Sequence, residues 1–537
     1  MSLLLLSRRR GSGARVTTRT GIVTQQGRVV RDDGGVFHPL GLTLFWSLYG
    51  WKFERSRILD HLKWISQYHF DYVRILGEVD WVGRSIEPTW PDYVPVVQEF
   101  VDAAYDQFGL RIEMTIIGGR QFDEHDGHQR FVPTELARQV GTALKGREHK
   151  VLHYECANEW DRLDKVTLPD LIDMGGVLAP MVPNLVALSR PAESSSTALV
   201  ALESGTRVEP SSAAIELAVL GLMNLAARRG ISYNEAAELL RWALAPGGDL
   251  KGLLGGHYRK NLHGLLQILT ALRQEYGPDV DTRESVDQGG REEMINATKT
   301  AGANTYTPHL RRSDHDEKWS HVRQGYDLKD YPTAVSNNEP QGPQSSVDTL
   351  DDPLQLACAR VLGIICGGAP YVLHVGQGVT GEADPNHGRP ENMWEVPNID
   401  TIMRVVRGVD VLVPPGIEAW KVVNNGRSDH PLPLDPETGF WEGSHPGPAV
   451  NKNYAAYSGN EFRVILIGCK SAGETGPVPA GTAIRKCRVI LYDPSKAYLG
   501  LEAAQVGAPV ELQPGESWSV PGRGDTMAGY VVAGTYL

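Results

Sequence analysis

From Phe37 to Val413 the chain alternates short apolar runs of strand length with longer stretches whose apolar residues recur at helical spacing. "FHPLGLTLF" is followed by "RSRILDHLKWISQYH", then "FDYVRIL", "WPDYVPVVQEFVDAAYDQFG", "LRIEMTIIG", "PTELARQVGTALKG" and "HKVLHYECANE". Strands that alternate with helices predict a parallel sheet with helical crossovers, because a parallel neighbour is reached only by a long connection. "LPDLIDMGGVLAPMVPNLVALSR" reads as a further helix and "STALVALESG" as a fifth strand. "REEMINATKTAGANTYTPH" reads as helix then sixth strand, and "YPTAVSNNEP" as a seventh strand. "PLQLACARVLGIICGG" is helical, "APYVLHVGQG" an eighth strand, and "NIDTIMRVVRGVDVLV" a closing helix. Eight such units over about 290 residues, once an Ala/Leu-rich helical stretch at about 206–288 is set aside as an insertion, match the size of a (β/α)8 TIM barrel.

The flanks read differently. Residues 1–35 are a basic, Gly-containing lead followed by a hairpin that turns at Asp33-Gly34-Gly35 and is placed to plug one end of a larger body. The barrel is assigned to 36–414. Beyond it, over 415–537, the period becomes two in "EFRVILIGCK", "AIRKCRVILYD", "APVELQPGESWSVP" and "MAGYVVAGTYL", which predicts a C-terminal antiparallel β-sandwich.

Composition removes several functions. A net charge of -12 argues against a nucleic-acid partner, which requires a basic face. No run approaches the roughly 18 apolar residues of a membrane span. The four leucines of "MSLLLLSRRRG" are too few for a signal peptide and precede the arginines, so no secretion route is expected, and cytoplasmic or virion-associated locations both stay open. Five cysteines without a C-x-x-C pair signal neither zinc nor a disulfide framework. "HDEKWSH" and "DEHDGHQ" lack fixed ligand spacing and read as solvated loops, so no metal or other cofactor is expected.

In a (β/α)8 barrel the C-terminal strand ends face the active site, so polar residues there are read as chemistry. The fourth strand ends in Asn158-Glu159-Trp160 and the seventh in Asn337-Asn338-Glu339. Two glutamates at the mouths of two strands suggest the paired carboxylates of glycoside hydrolysis, one protonating the leaving oxygen and the other attacking the anomeric carbon. Trp46, Trp81 and Trp160 fall just beyond strand ends, where their rings are placed to stack on sugar faces. Arg74 has a second reading as a structural ion pair with Glu78 or Asp80.

Taken together, Asn158-Glu159, Glu339, Arg74 in "YVRILG" and His309 in "NTYTPHL" resemble the clan A retaining glycoside hydrolases, the cellulase and β-mannanase superfamily, over about Val36 to Val413. The resemblance implies Glu159 as acid/base, Glu339 as nucleophile, Asn158 as donor to the sugar 2-hydroxyl, and Arg74 as positioner of the nucleophile. It offers Tyr306 for the tyrosine that contacts the nucleophile. At the end of strand eight, where members carry an aromatic, stands His374. The expected function is a retaining β-glycosidase acting on an oligo- or polysaccharide. Two alternatives remain: an inactive carbohydrate-binding or virion-associated barrel, and a barrel hydrolase of other chemistry using a metal and the histidines. The apolar face of "AAIELAVLGLMNLAARRG" in the insertion needs cover, from the barrel's own loops or from a second copy in a homo-oligomer.

Overall fold

The computed structural model describes residues 19–81, 83–119, 131–158, 166, 168–190, 294–308, 325, 328–338, 342–345, 349–368, 370–385, 388–413, 420–422, 452–468, 478–483, 485–521 and 528–537. The insertion expected at about 206–288 lies outside them, as do Glu159, Trp160, His309 and Glu339.

Seven parallel strands form the central sheet: β4 (Leu40–Thr43), β5 (Tyr72–Leu76), β6 (Arg111–Ile117), β7 (Val151–Ala157), β8 (Leu185–Arg190), β9 (Thr305–Pro308) and β10 (Tyr371–Leu373). Their order is β10-β4-β5-β6-β7-β8-β9. The seventh strand expected from "TAVSNNEP" is reduced to two parallel bridges, Tyr306 with Val335 and Asn337 with Tyr371. These bridges occupy the gap between β9 and β10, so eight chain segments complete the ring of a (β/α)8 barrel. Pro332, which has no N–H to give, stands just before the first of these bridges.

The fifth strand is a correction. It was expected at "STALVALESG", with "LVALSR" as the tail of a helix. The helix ends at Leu178, and Leu185–Arg190 is the strand, paired with β7 and β9. Pro180 and Pro183 break the helical period before Asn184, and apolar periodicity alone does not separate a short buried strand from a helix end.

Helices cover the sheet for reasons visible in their ends. Among them are α1 (Ser47–Phe53), α2 (Arg55–Gln67), α3 (Tyr93–Phe108), α4 (Pro133–Ala143), α5 (Leu168–Leu178), α6 (Pro353–Ile365) and α7 (Ile399–Gly408). The Asp352 side chain accepts the Leu354 N–H at the start of α6, where Pro353 takes the first turn. Gly109 stops α3 in the left-handed conformation. In α7, Ile399, Ile402, Met403 and Val406 all face the core at helical spacing.

The lower end of the barrel is closed by a three-stranded ribbon, β1 (Thr24–Gln26), β2 (Val29–Asp32) and β3 (Gly35–Phe37). Asp32 pairs with Gly35 across the Asp33-Gly34 turn. Val23, Val30 and Phe37 pack on Tyr72, Leu152, Leu185, Ala334 and Val372, the inward residues at the strand starts. Asp32 is fixed by Arg111 at 2.8 Å and Arg19 at 2.6 Å. Burial opposes ionisation there, but the two guanidiniums together hold the Asp32 carboxyl below its usual range.

The C-terminal part is antiparallel. A six-stranded sheet runs β11 (Lys421–Val422), β12 (Lys452–Ser458), β13 (Glu461–Gly468), β18 (Ala528–Tyr536), β15 (Cys487–Tyr492), β16 (Val510–Leu512). The pair β14 (Val478–Thr482) and β17 (Ser517–Val520) forms a second layer. Alternation decides which side chain meets which layer. Phe462, Val464 and Leu466 pack with Ala483 and Val520, whereas Ile465, Tyr454 and Val531 join α6 residues such as Val361 and Ile365. This is a β-sandwich with one face seated on the barrel.

Candidate functional site

The upper half of the barrel interior holds charge instead of aliphatic side chains. Register places Thr43 beside Arg74, Arg74 beside Glu113, and Glu113 beside His153, with Thr115 and Glu155 one inward step higher. All six are buried. Strands buried on both faces are normally continuous aliphatic runs, so this inward set departs from what sheet packing alone would select.

Arg74 is the hub. Its Nη2 donates to Glu155 Oε2 at 2.6 Å and to Asn158 Oδ1 at 2.7 Å, and its Nε to Thr115 Oγ1 at 3.1 Å. Glu113 Oε1 lies 3.2 Å from the same Nε. Arg74 Nη1 donates to the Asn338 carbonyl at 3.2 Å. Asn338 answers with its own Nδ2, which reaches Glu155 Oε1 at 2.9 Å and Glu113 Oε1 at 3.1 Å. His153 Nε2 stands 3.4 Å from Glu113 Oε1. The ion pair expected between Arg74 and Glu78 or Asp80 is therefore replaced by one with Glu113 and Glu155.

Because a guanidinium has donors and no acceptor, Asn158 must present its oxygen to Arg74. The Asn158 amide NH2 then faces away from the guanidinium, as a donor at the end of β7. Asn158 is half-buried, unlike the network beneath it. Its own N–H donates to the Ile117 carbonyl at 2.8 Å, which continues the sheet one residue past the strand.

His374, after β10, is buried with its Nδ1 2.9 Å from Thr43 Oγ1. Its ring lies 6.0 Å from Phe45, and the Arg74 guanidinium is 5.0 Å from the Phe45 ring centre. Tyr306 is not at the mouth. Its ring packs on Tyr331 at 5.2 Å within the layer between the sheet and α6, because position parity on β9 turns Thr305 and Thr307 inward and Tyr306 outward. Trp46 is also a correction. Its ring is fully buried against His61 and between Arg57 and Arg84, and a Cβ on Gly381 would sit 2.3 Å from it. It is a packing element with no face for a sugar. Trp81 is half-buried after β5.

Glu113 and Glu155 were not anticipated. Their signal was present as single acidic residues inside apolar strands, "RIEMTII" and "LHYECA", where a solvent-facing carboxylate has no place. Glu78, just past β5, was considered only as a partner for Arg74. Burial, and then the neighbouring Asp80, push its carboxyl well above the usual carboxylate range, and its Oε2 is buried without a hydrogen-bond partner. Among the described residues no cluster of three His, Cys, Asp or Glu could hold a metal ion, and no helix is long and apolar enough to cross a membrane.

No protein family matches the chain, and no curated protein does. Solved structures do. A glycoside hydrolase family 5 protein from Bacteroides vulgatus is similar at 10% identity and TM-score 0.43, over 96% of this chain and 93% of that one. A GH30 endoxylanase from Clostridium papyrosolvens is similar at 10% identity and TM-score 0.38, over 97% and 100%. An α-amylase from Geobacillus thermoleovorans is similar at 10% identity and TM-score 0.39, over 92% and 98%.

Proposed function

We propose that the chain is a retaining β-glycoside hydrolase that cleaves an oligo- or polysaccharide by double displacement. One observation carries this reading. A single buried guanidinium, Arg74, grips the Asn158 side chain and the Asn338 carbonyl, and these residues directly precede Glu159 and Glu339 in the chain. Asn158 and Asn338 thus share one anchor on the face where such barrels carry their chemistry.

In this reading Glu339 attacks the anomeric carbon and Glu159 protonates the departing oxygen. Glu159 then takes a proton from the water that releases the sugar from Glu339. Retention of configuration requires the two carboxyls at about 5 Å, with no room for water between them. The Asn158 NH2, turned from Arg74, is the donor to the sugar 2-hydroxyl. Trp81, Trp160, His309 and His374 are assigned to sugar binding, and no cofactor is needed. The segment at about 206–288 is assigned to the wall of the cleft or to contact with a second copy.

Hydrolysis of aryl β-glycosides tests the activity. Glu159→Ala should slow substrates with poor leaving groups and spare activated ones, which need no proton. Equal losses on both would remove Glu159 as the acid. A 2-deoxy-2-fluoro glycoside should label Glu339, and labelling at another residue would remove it as nucleophile. Sugar binding without any hydrolysis would leave the inactive barrel as the reading.

A further inference from the structure

Among the described residues the Glu155 side chain, like that of Arg74, reaches three other segments at once. Its Oε2 accepts from Arg74 on β5 at 2.6 Å and from the Thr115 hydroxyl on β6. Its Oε1 accepts from Asn338 Nδ2 at 2.9 Å. It is fully buried, and it lies on β7 three residues before Asn158. Asn158 in turn is held by the same Arg74 nitrogen that Glu155 holds.

We infer that Glu155 is a positioning residue, a clamp that sets Asn158 through Arg74 and Asn338 directly, and so fixes the spacing of the two glutamates that follow them. The inference rests on the proposed glycosidase reading for its chemical consequence, and on the described atoms for the clamp itself. Three features separate it from an ordinary buried ion pair. Both carboxylate oxygens are used, Oε2 toward Arg74 and Thr115 and Oε1 toward Asn338. Arg74, Thr115 and Asn338 each donate to it, which an ionised carboxylate accepts at both oxygens. The seventh segment, whose sheet pairing among the described residues is two isolated bridges, donates to Glu155 a hydrogen bond that its backbone ladder does not supply. Such a segment depends on side chains for its register.

The neutral isostere Glu155→Gln tests this. Its NH2 would meet a donor from Arg74 or from Asn338, so one strand end must let go. With full-length protein and a 4-nitrophenyl β-glycoside, kcat should fall about 100-fold, as expected for misplaced reacting groups, while KM changes less than about threefold. Both limbs of the pH profile should move to lower pH, because a negative charge has been removed from the network that holds the residues next to Glu159 and Glu339 in the chain. A crystal structure of the variant should show Asn158 or Asn338 displaced from its place around Arg74. A folded variant with unchanged kcat and pH profile overturns the inference, as does a structure with both asparagines in place. If the parent hydrolyses no glycoside, the proposed function fails, and the crystal structure alone decides the clamp. Should Glu155→Gln not fold, Thr115→Val removes one donor to Glu155 at constant shape. It should lower kcat about tenfold with the same displacement, and full activity in that variant overturns the inference equally.

Discussion

Acidification should loosen the barrel through His61. This ring on α2 is buried, 5.4 Å from Trp46 and 4.7 Å from Trp394. Its Nδ1 lies 2.9 Å from the Arg57 carbonyl, and its Nε2 receives the Met393 N–H at 3.5 Å. One nitrogen must donate and the other accept, so the fold selects one neutral tautomer. Burial pulls the ring down to about 4 from 6.5, while the Arg57 carbonyl, Asp60 and Glu395 oppose that and Arg57's charge adds to it. The sign follows from linkage. A folded pKa below the unfolded one means the unfolded chain binds the extra proton first, so stability is whole above about 6.5 and is lost as pH falls toward about 4. At pH 5 the loss is about 2 kcal/mol, and it approaches roughly 3 kcal/mol once the folded form also titrates. Urea unfolding at pH 7 and pH 5 measures it, in the parent and in His61→Leu. The variant loses the Met393 contact and is less stable at both values, but its pH-dependent drop should be smaller than the parent's by about 2 kcal/mol. An equal drop in both proteins would refute the argument, whatever their absolute stabilities.

Other consequences can be checked in the same way. Glu78→Gln should flatten an opposite dependence, since a carboxyl raised by burial costs stability as pH climbs above its unfolded value near 4.5; a parent-to-variant difference that is constant from pH 5 to 8 would contradict it. Gly41→Ala should cost about 1–3 kcal/mol by thermal unfolding, because its Cβ would sit 2.3 Å from the ring of the buried Tyr72. Arg111→Met should cost about 3 kcal/mol by leaving Asp32 with Arg19 alone, and because the Asp32 carboxyl is then held less far below its usual range, the loss of stability between pH 5 and 3 should be smaller than in the parent. Tyr306→Phe should leave kcat/KM within about twofold, as its ring sits under α6; a tenfold loss would return it to the site.

The strands from β4 to β7 were legible because each is a compact apolar run between helices that announce their own ends, with Gly109 closing α3 and Pro133 opening α4. The fifth strand was not. "LVALSR" directly follows a Pro-broken helix and carries the same residue types as the helix itself, so nothing local marks the change of period. In the sandwich, β13, β15 and β18 stood out by alternation, while "KNYAAYS" and "VPAGT" are too small and polar to signal strands and are recruited by their neighbours. For the site, Asn158 lies just past the end of β7 as read, whereas Arg74 lies at the middle of β5, and the partners of both depend on lateral register. That Glu113 lies beside Arg74 and Glu155 beside Thr115 is fixed by pairing between strands about forty residues apart, information that no single stretch contains. Tyr306 and Trp46 failed for a simpler reason. A shift of one residue reverses which face a strand side chain meets, and a residue beyond a strand end can turn under a helix as easily as into a cleft.

The ribbon beneath the barrel has a consequence for how the chain is made. Arg28 binds the carbonyls of Leu328, Lys329 and Cys366, at separations of 300 to 338 residues, and the Ala334 N–H donates to the Gly27 carbonyl. Its apolar residues wait for Ala334 and Val372 as well as for the early strands. A ribosome delivers residues 24–37 long before those partners exist. During synthesis the first hairpin therefore has only part of its seat, and two or three strands alone are marginal in water. The ring cannot shut until the final third of the barrel emerges, which sets a long-range, late and cooperative closing step for a chain whose early βα units can already pack locally.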